Sequence, residues 1–142
     1  MKKIKVAIIN YGMGNLKSVE ISLNYLGAYN KLIDNSKNLK NFSHIILPGV
    51  GSFKSAIKNL KDLRLFNSLI DLSKNKNIKI LGICLGMQLL FSSSTEDGFS
   101  KGLNIVKGKV EKFSKGGRAG YKMGSKCKLA TKGKGRAYGK NS

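Results

Sequence analysis

Apolar residues along the chain fall into short runs separated by polar, glycine-containing stretches, and the runs alternate between strand-like and helix-like spacing. Residues 5–9, KVAII, form a brief unbroken apolar run of the kind a central parallel strand shows, and they end in a glycine loop, NYGMGN. From Leu16 onward Val19, Leu23 and Leu26 share one helical face, with Gly27 as the stop. Residues 28–33 predict a second strand and residues 34–41 a polar connection. Residues 44–47, HIIL, predict a third strand that runs straight into a second glycine loop, PGVGSF. Residues 55–60 and 65–72 read as helical, and residues 73–77 as a polar turn. Ile78, Ile80 and Leu81 then predict a buried strand, and residues 87–90 a helix. Beyond Phe91 come a polar loop over 92–97 and two short strands, 103–106 and 109–113, around Gly108. This order predicts an α/β fold with a mostly parallel sheet and helices on both faces.

The strand-to-helix junction at residues 78–91, IKILGICLGMQLLF, is where chemistry is expected. Gly-x-Cys-x-Gly between a strand and a helix is the pattern of a nucleophile elbow, with Cys84 at the apex and Gly82 and Gly86 letting the two backbones pass. The helix start beyond it offers N–H groups that favour an anion, so a thiolate or an oxyanion fits there. The alternative is a small buried hydrophobe, the usual state of a free cysteine. Ligands in open parallel sheets bind beyond the carboxyl ends of the strands, which places the 48–51 loop and the elbow in one crevice. The N–H of Leu85, with one from the Val50–Gly51 stretch, supplies candidate oxyanion donors. A base is harder to find. His44 is the single histidine, and it opens a strand at the end away from the elbow, about 13 Å off.

Composition changes this picture mainly at the C-terminal end. Residues 1–113 hold 18 Lys or Arg and all 7 acidic residues, whereas residues 114–142 hold 9 basic residues, 7 glycines and no acid. The expected organisation is a domain over 1–113 and a basic Gly/Lys-rich tail over 114–142, disordered or frame-shifted, because so few apolar groups cannot offset ordering entropy. The net charge of +20 raises nucleic acid as a partner, but the lysines are scattered and lack interleaved aromatics, so no specific nucleic-acid site is expected. Gly12-x-Gly14 is not a dinucleotide fingerprint, since Lys17 stands at the third glycine position. Two cysteines in unlike contexts, Cys84 and Cys127, and one histidine argue against a disulfide framework and against a metal site. The apolar run near the N-terminus is too short for a signal segment, and none approaches a membrane span, so a cytoplasmic protein is expected.

Five separated blocks carry a family resemblance: NYGMGN at 10–15, PGVG at 48–51, GICLGMQ at 82–88, EDG at 96–98 and Gly102-Leu103. In order and spacing they resemble class I glutamine amidotransferases, in particular the glutaminase subunits of imidazole glycerol phosphate synthases, over residues 4–113. The resemblance implies that Cys84 attacks the glutamine amide, forms a γ-glutamyl thioester and releases ammonia. It implies that Gln88 and Glu96 hold L-glutamine, that Gly49, Val50 and Gly51 complete the oxyanion hole with Leu85, and that Asn10, Tyr11 and Asn15 lie near a partner interface. That partner is a cyclase subunit, a (β/α)8 barrel joined as a heterodimer, to which ammonia passes in histidine biosynthesis. No cofactor is implied.

The chain also departs from the family. Members continue past the position of Phe113 with a Pro-His-x-Gly-Trp-Asn block, further strands and a distal His-x-Glu that completes the triad. Here Lys122-Met123-Gly124-Ser125 is at most an echo, and tryptophan is absent. The expectation is therefore a C-terminally truncated or frame-shifted copy. Two other readings stand beside it: a paralogue supplying ammonia to another synthase, and a non-catalytic partner-binding fragment with a basic tail.

Overall fold

The structure is a computed structural model, and it describes residues 4–111. The expectations for residues 114–142, Cys127 included, and for the end of the last strand lie outside the described residues.

Four parallel strands form the main sheet: β1 (Lys5–Ile9), β2 (Tyr29–Ile33), β3 (His44–Leu47) and β4 (Lys79–Gly82), in the order β2-β1-β3-β4. The helices between them are α1 (Leu16–Tyr25), α2 (Phe53–Asp62) and α3 (Leu65–Ser73), and α4 (Leu85–Leu89) follows β4. Alternation along the strands sorts side chains to two faces. Ala7, Ile9, Ile45 and Leu47 enter one core with Phe53, Ala56, Ile57, Leu60, Leu65 and Leu69 from α2 and α3. In α2 the four buried positions 53, 56, 57 and 60 follow helical spacing, and burying each large one contributes roughly 1.5–3 kcal/mol. Ser52 caps that helix, its side chain accepting from the Ser55 N–H at 3.3 Å.

The opposite face carries Val6, Ile8 and Ile46, all buried, and α1 lies against β1 and β2 there. The stripe expected on α1 is only partly used. No residue of α1 is buried, and Leu26 lies just past the helix end as its cap, 75% exposed. The helix does stop at Gly27, which has φ +70°.

β4 departs from the buried strand expected over residues 78–81. This strand is not buried on both faces, and among the described residues it forms an edge of the sheet. Ile78 and Ile80 pack on the core, whereas Leu81 on the other face is 56% exposed. Apolar composition placed Leu81 inside, but α1 covers the β1–β2 side of the sheet and leaves this position open.

A second departure concerns residues 92–111. Residues 103–106 are not a strand. The N–H groups of Leu103, Ile105 and Val106 donate instead to Leu89 and Leu90 carbonyls at 2.8–2.9 Å, satisfying the acceptors that a helix leaves at its C-terminus. The strands are elsewhere and very short. β5 (Ser93–Ser94) pairs antiparallel with β6 (Ser100–Lys101) and parallel with β7 (Lys109–Val110). The 92–97 stretch expected as a loop thus contains β5.

Candidate active site

Register brings the two glycine-bearing segments together. Leu47, the last residue of β3, pairs with Gly82, the last of β4, so the 48–51 loop and the Cys84 elbow leave the sheet side by side. The ladder continues past the strands, with Ile83 N–H donating to the Leu47 carbonyl at 3.0 Å and Leu85 N–H to the Gly49 carbonyl at 3.2 Å. Close approach requires glycine on both sides of the cysteine. A Cβ on Gly86 would run into the Leu47 carbonyl oxygen, and one on Gly82 would stand 2.5 Å from the Met87 Cα.

Cys84 is exposed and sits at φ 53°, ψ −120°, in a conformation that favours glycine. A non-glycine residue held there stores strain, and the thiol is lifted clear of strand and helix alike. Because the side chain is exposed, little packing would be lost on its removal. Cys84→Gly is therefore expected to raise stability by roughly 1 kcal/mol while removing the thiol. Denaturant unfolding of both forms checks this, and a lower midpoint for the glycine variant would show that the elbow stores no strain.

The helix that follows has only five residues, so its macrodipole is small, and an anion at Cys84 depends on individual N–H groups. Leu85, expected as an oxyanion donor, has its N–H engaged by the Gly49 carbonyl. It becomes available only when that carbonyl turns away. Among the described residues, the N–H groups of Gly49, Val50 and Gly51 have no acceptor. Gly49 is buried, Val50 is 59% exposed, and Gly51 has φ +110°. Gln88 lies one turn along α4, its N–H donating to the Cys84 carbonyl at 3.3 Å, and its side chain is half-buried. Glu96 follows β5, with its N–H on the Ser94 hydroxyl at 3.2 Å. Among the described residues no hydrogen bond joins its carboxylate to the elbow.

The first loop sits beside the second. A Cβ on Gly14 would stand 3.3 Å from the Gly49 nitrogen, and one on Gly51 would stand 2.8 Å from the Met13 Cε. Asn15 caps α1, its side chain accepting from the Ser18 N–H at 3.3 Å, and Asn10 donates its backbone N–H to Ile33 at 2.8 Å. Tyr11 is not a surface residue. It is 2% exposed, and its hydroxyl donates to the Pro48 carbonyl at 2.7 Å. Burial holds that hydroxyl protonated well above its ordinary range. Sequence reasoning missed this anchor, although positions 7, 9 and 11 keep one parity and so point to one face.

His44 begins β3, paired with Lys79 at the opposite end of the sheet, and its Nδ1 lies 2.9 Å from the Ser43 hydroxyl. A groove of about 540 Å³ lined by Lys5, Phe42, His44 and Ile78 also lies at that end, away from Cys84. Among the described residues no group of His, Cys, Asp and Glu is placed to hold a metal ion, and no helix is long and apolar enough to cross a membrane.

Comparison with known proteins agrees with this arrangement. A family profile described as "Glutamine amidotransferase class-I" matches residues 7–141. The chain is 47% identical over 113 residues to the imidazole glycerol phosphate synthase subunit HisH of Caldanaerobacter subterraneus, covering 80% of this chain and 55% of that protein. To the same-named subunit of Prochlorococcus marinus it is 47% identical over 112 residues, covering 79% and 52%. The chain thus spans about half the length of the curated relatives it matches. A solved structure titled "Crystal structure of glutamine amidotransferase" superposes with a TM-score of 0.68 at 18% identity, over 80% of this chain and 59% of that one, which bears on the fold alone. On the profile, the relatives and the elbow together, the chain belongs to the class-I glutamine amidotransferase family.

Proposed function

We propose that the chain carries the nucleophile half of a glutaminase that supplies ammonia to imidazole glycerol phosphate synthesis. The observation that carries this reading is Cys84 held exposed at positive φ on the elbow, beside a loop whose N–H groups lack acceptors. In that chemistry the Cys84 sulfur attacks the side-chain amide carbon of L-glutamine. The carbonyl oxygen takes up negative charge against the N–H groups of residues 49–51, and against Leu85 once the Gly49 carbonyl has turned. Expulsion of the amide nitrogen, with a proton added, gives ammonia and a γ-glutamyl thioester, and water then releases glutamate and regenerates the thiol. Gln88 and Glu96 are assigned to holding the glutamine, and loop 10–15, with Asn10 and Asn15, to facing a cyclase subunit. No metal or organic cofactor enters, and the compartment assigned is the cytoplasm.

One observation favours a different role, that of a partner-binding module without catalysis. The single histidine is at the far end of the sheet, and the elbow has no base among the described residues. Labelling tests the glutamine site itself. A glutamine-shaped electrophile is expected to modify Cys84 in preference to Cys127, whereas a small neutral alkylating agent discriminates less. Equal labelling of both thiols by the glutamine-shaped reagent, read by mass spectrometry, would count against a formed glutamine site.

A further inference from the structure

Pro48 stands where the β3 ladder ends. It has no N–H, it is buried, and its carbonyl lies beyond the last β3–β4 pair, Leu47 with Gly82. Among the described residues the group that satisfies that carbonyl is the Tyr11 hydroxyl, at 2.7 Å. Tyr11 is itself held at both ends. Its ring is in the core, and its backbone carbonyl accepts from Asn59 Nδ2 on α2 at 3.0 Å. The Gly49 carbonyl, one peptide further on, accepts from Leu85, the residue after Cys84. A hydrogen-bonded line therefore runs from α2 through Tyr11 and the 48–49 peptide to the start of α4.

We propose that Tyr11 is a positioning residue that sets the orientation of the Pro48–Gly49 peptide against the Cys84 elbow. The carbonyl of Pro48 and the N–H of Gly49 belong to one planar trans unit and point in opposite directions. Holding the carbonyl toward the core aims the Gly49 N–H away from it, unpaired and ready for an acceptor oxygen. This deepens, and as regards catalysis rests on, the reading of the loop as an oxyanion site. It also explains why a tyrosine is buried in a glycine loop. Without the hydroxyl, the Pro48 carbonyl is either left buried and unpaired or turns toward water, and a buried polar group without a partner is strongly disfavoured. If it turns, the Gly49 N–H turns with it, and the bond to Leu85 is disturbed.

Tyr11→Phe removes one oxygen and keeps the ring. Its expected effect is local: amide hydrogen exchange at Leu85 about tenfold faster, with α2 amides such as Leu60 unchanged. Unchanged exchange at Leu85, or equal acceleration at Leu85 and Leu60, would overturn the assignment. If Tyr11→Phe does not fold, Asn59→Leu, which removes the donor to the Tyr11 carbonyl, is read by the same two amides with the same outcomes. A second measurement bears on catalysis. The ratio of Cys84 labelling by a glutamine-shaped electrophile to labelling by iodoacetamide is expected to fall about tenfold in Tyr11→Phe, the loss typical of one oriented donor. If the unsubstituted chain shows no preference in that ratio, the glutaminase reading fails, while exchange at Leu85 still decides the role of Tyr11.

Discussion

Ammonia release from glutamine by the 142-residue chain is expected to lie about 10²- to 10⁴-fold below that of the same chain extended by a family-type segment carrying His-x-Glu. The reason is geometric. His44 is the only histidine, and it sits at the start of β3, whereas the elbow lies beyond the carboxyl ends of β3 and β4. Four strand residues separate the two by about 13 Å, well outside hydrogen-bond reach. A thiolate at Cys84 can still attack an amide, but ammonia leaves poorly without a proton, and no described residue at the elbow is placed to donate one. Members of such a site fail together, so strain and oxyanion donors do not compensate where no base is found among the described residues. The measurement is ammonia release by the chain, by its Cys84→Ser form and by the extended chain. Near-equal rates with and without the extension, abolished by Cys84→Ser, would mean that another residue acts as base.

Gly86→Ala is expected to give the largest loss of stability of any single-methyl addition near the site, roughly 3–5 kcal/mol. The added carbon would meet the carbonyl oxygen of Leu47 and stand 2.6 Å from the Leu47 carbonyl carbon and 3.1 Å from that of Pro48. All three are backbone atoms in or next to the ladder that joins β3 to β4, so no side chain can swing aside. A loss of that size is a large part of the 5–15 kcal/mol typical of a whole domain, and it would separate the loop from the elbow first. Gly98→Ala is the control. That position has positive φ, +83°, unlike Gly86, and nothing lies within 4 Å of the added carbon, so the change is expected to cost only about 1 kcal/mol. Denaturant midpoints of the two variants compare them directly. Similar losses in both would show that close approach does not set the cost at Gly86.

Local patterning was enough to locate most of the sheet and its helices. Short β-branched runs ending in glycine loops placed β1 and β3 to the residue, and the switch from Ile80–Leu81 to Met87–Leu90 placed the elbow with Cys84 at its apex. These signals are legible because strand and helix periods differ, and because a tight strand-to-helix turn demands glycine at fixed offsets. The family blocks added the roles proposed for Gln88, Glu96 and residues 49–51, which composition alone does not carry.

What the sequence did not decide depends on which surfaces meet. Leu81 reads as a core residue by type, yet it is exposed because α1 covers the β1–β2 half of that sheet face. Residues 103–106 read as a strand, yet their N–H groups serve carbonyls at the end of α4, a choice set by which acceptors are near in space. The Leu85 N–H reads as a free oxyanion donor, yet a carbonyl 36 positions earlier in the chain occupies it. Tyr11 reads as part of a partner-facing loop, yet its side chain continues the inward parity of Ala7 and Ile9 and ends on Pro48. The sequence by itself determined the main-sheet strands, their helices and the elbow with Cys84 at its apex, because these follow from spacing within a few residues. Only the tertiary structure decided the open face, the loop anchor and the engaged donor, because each is a contact between segments whose meeting depends on strand order and register, which no local pattern encodes.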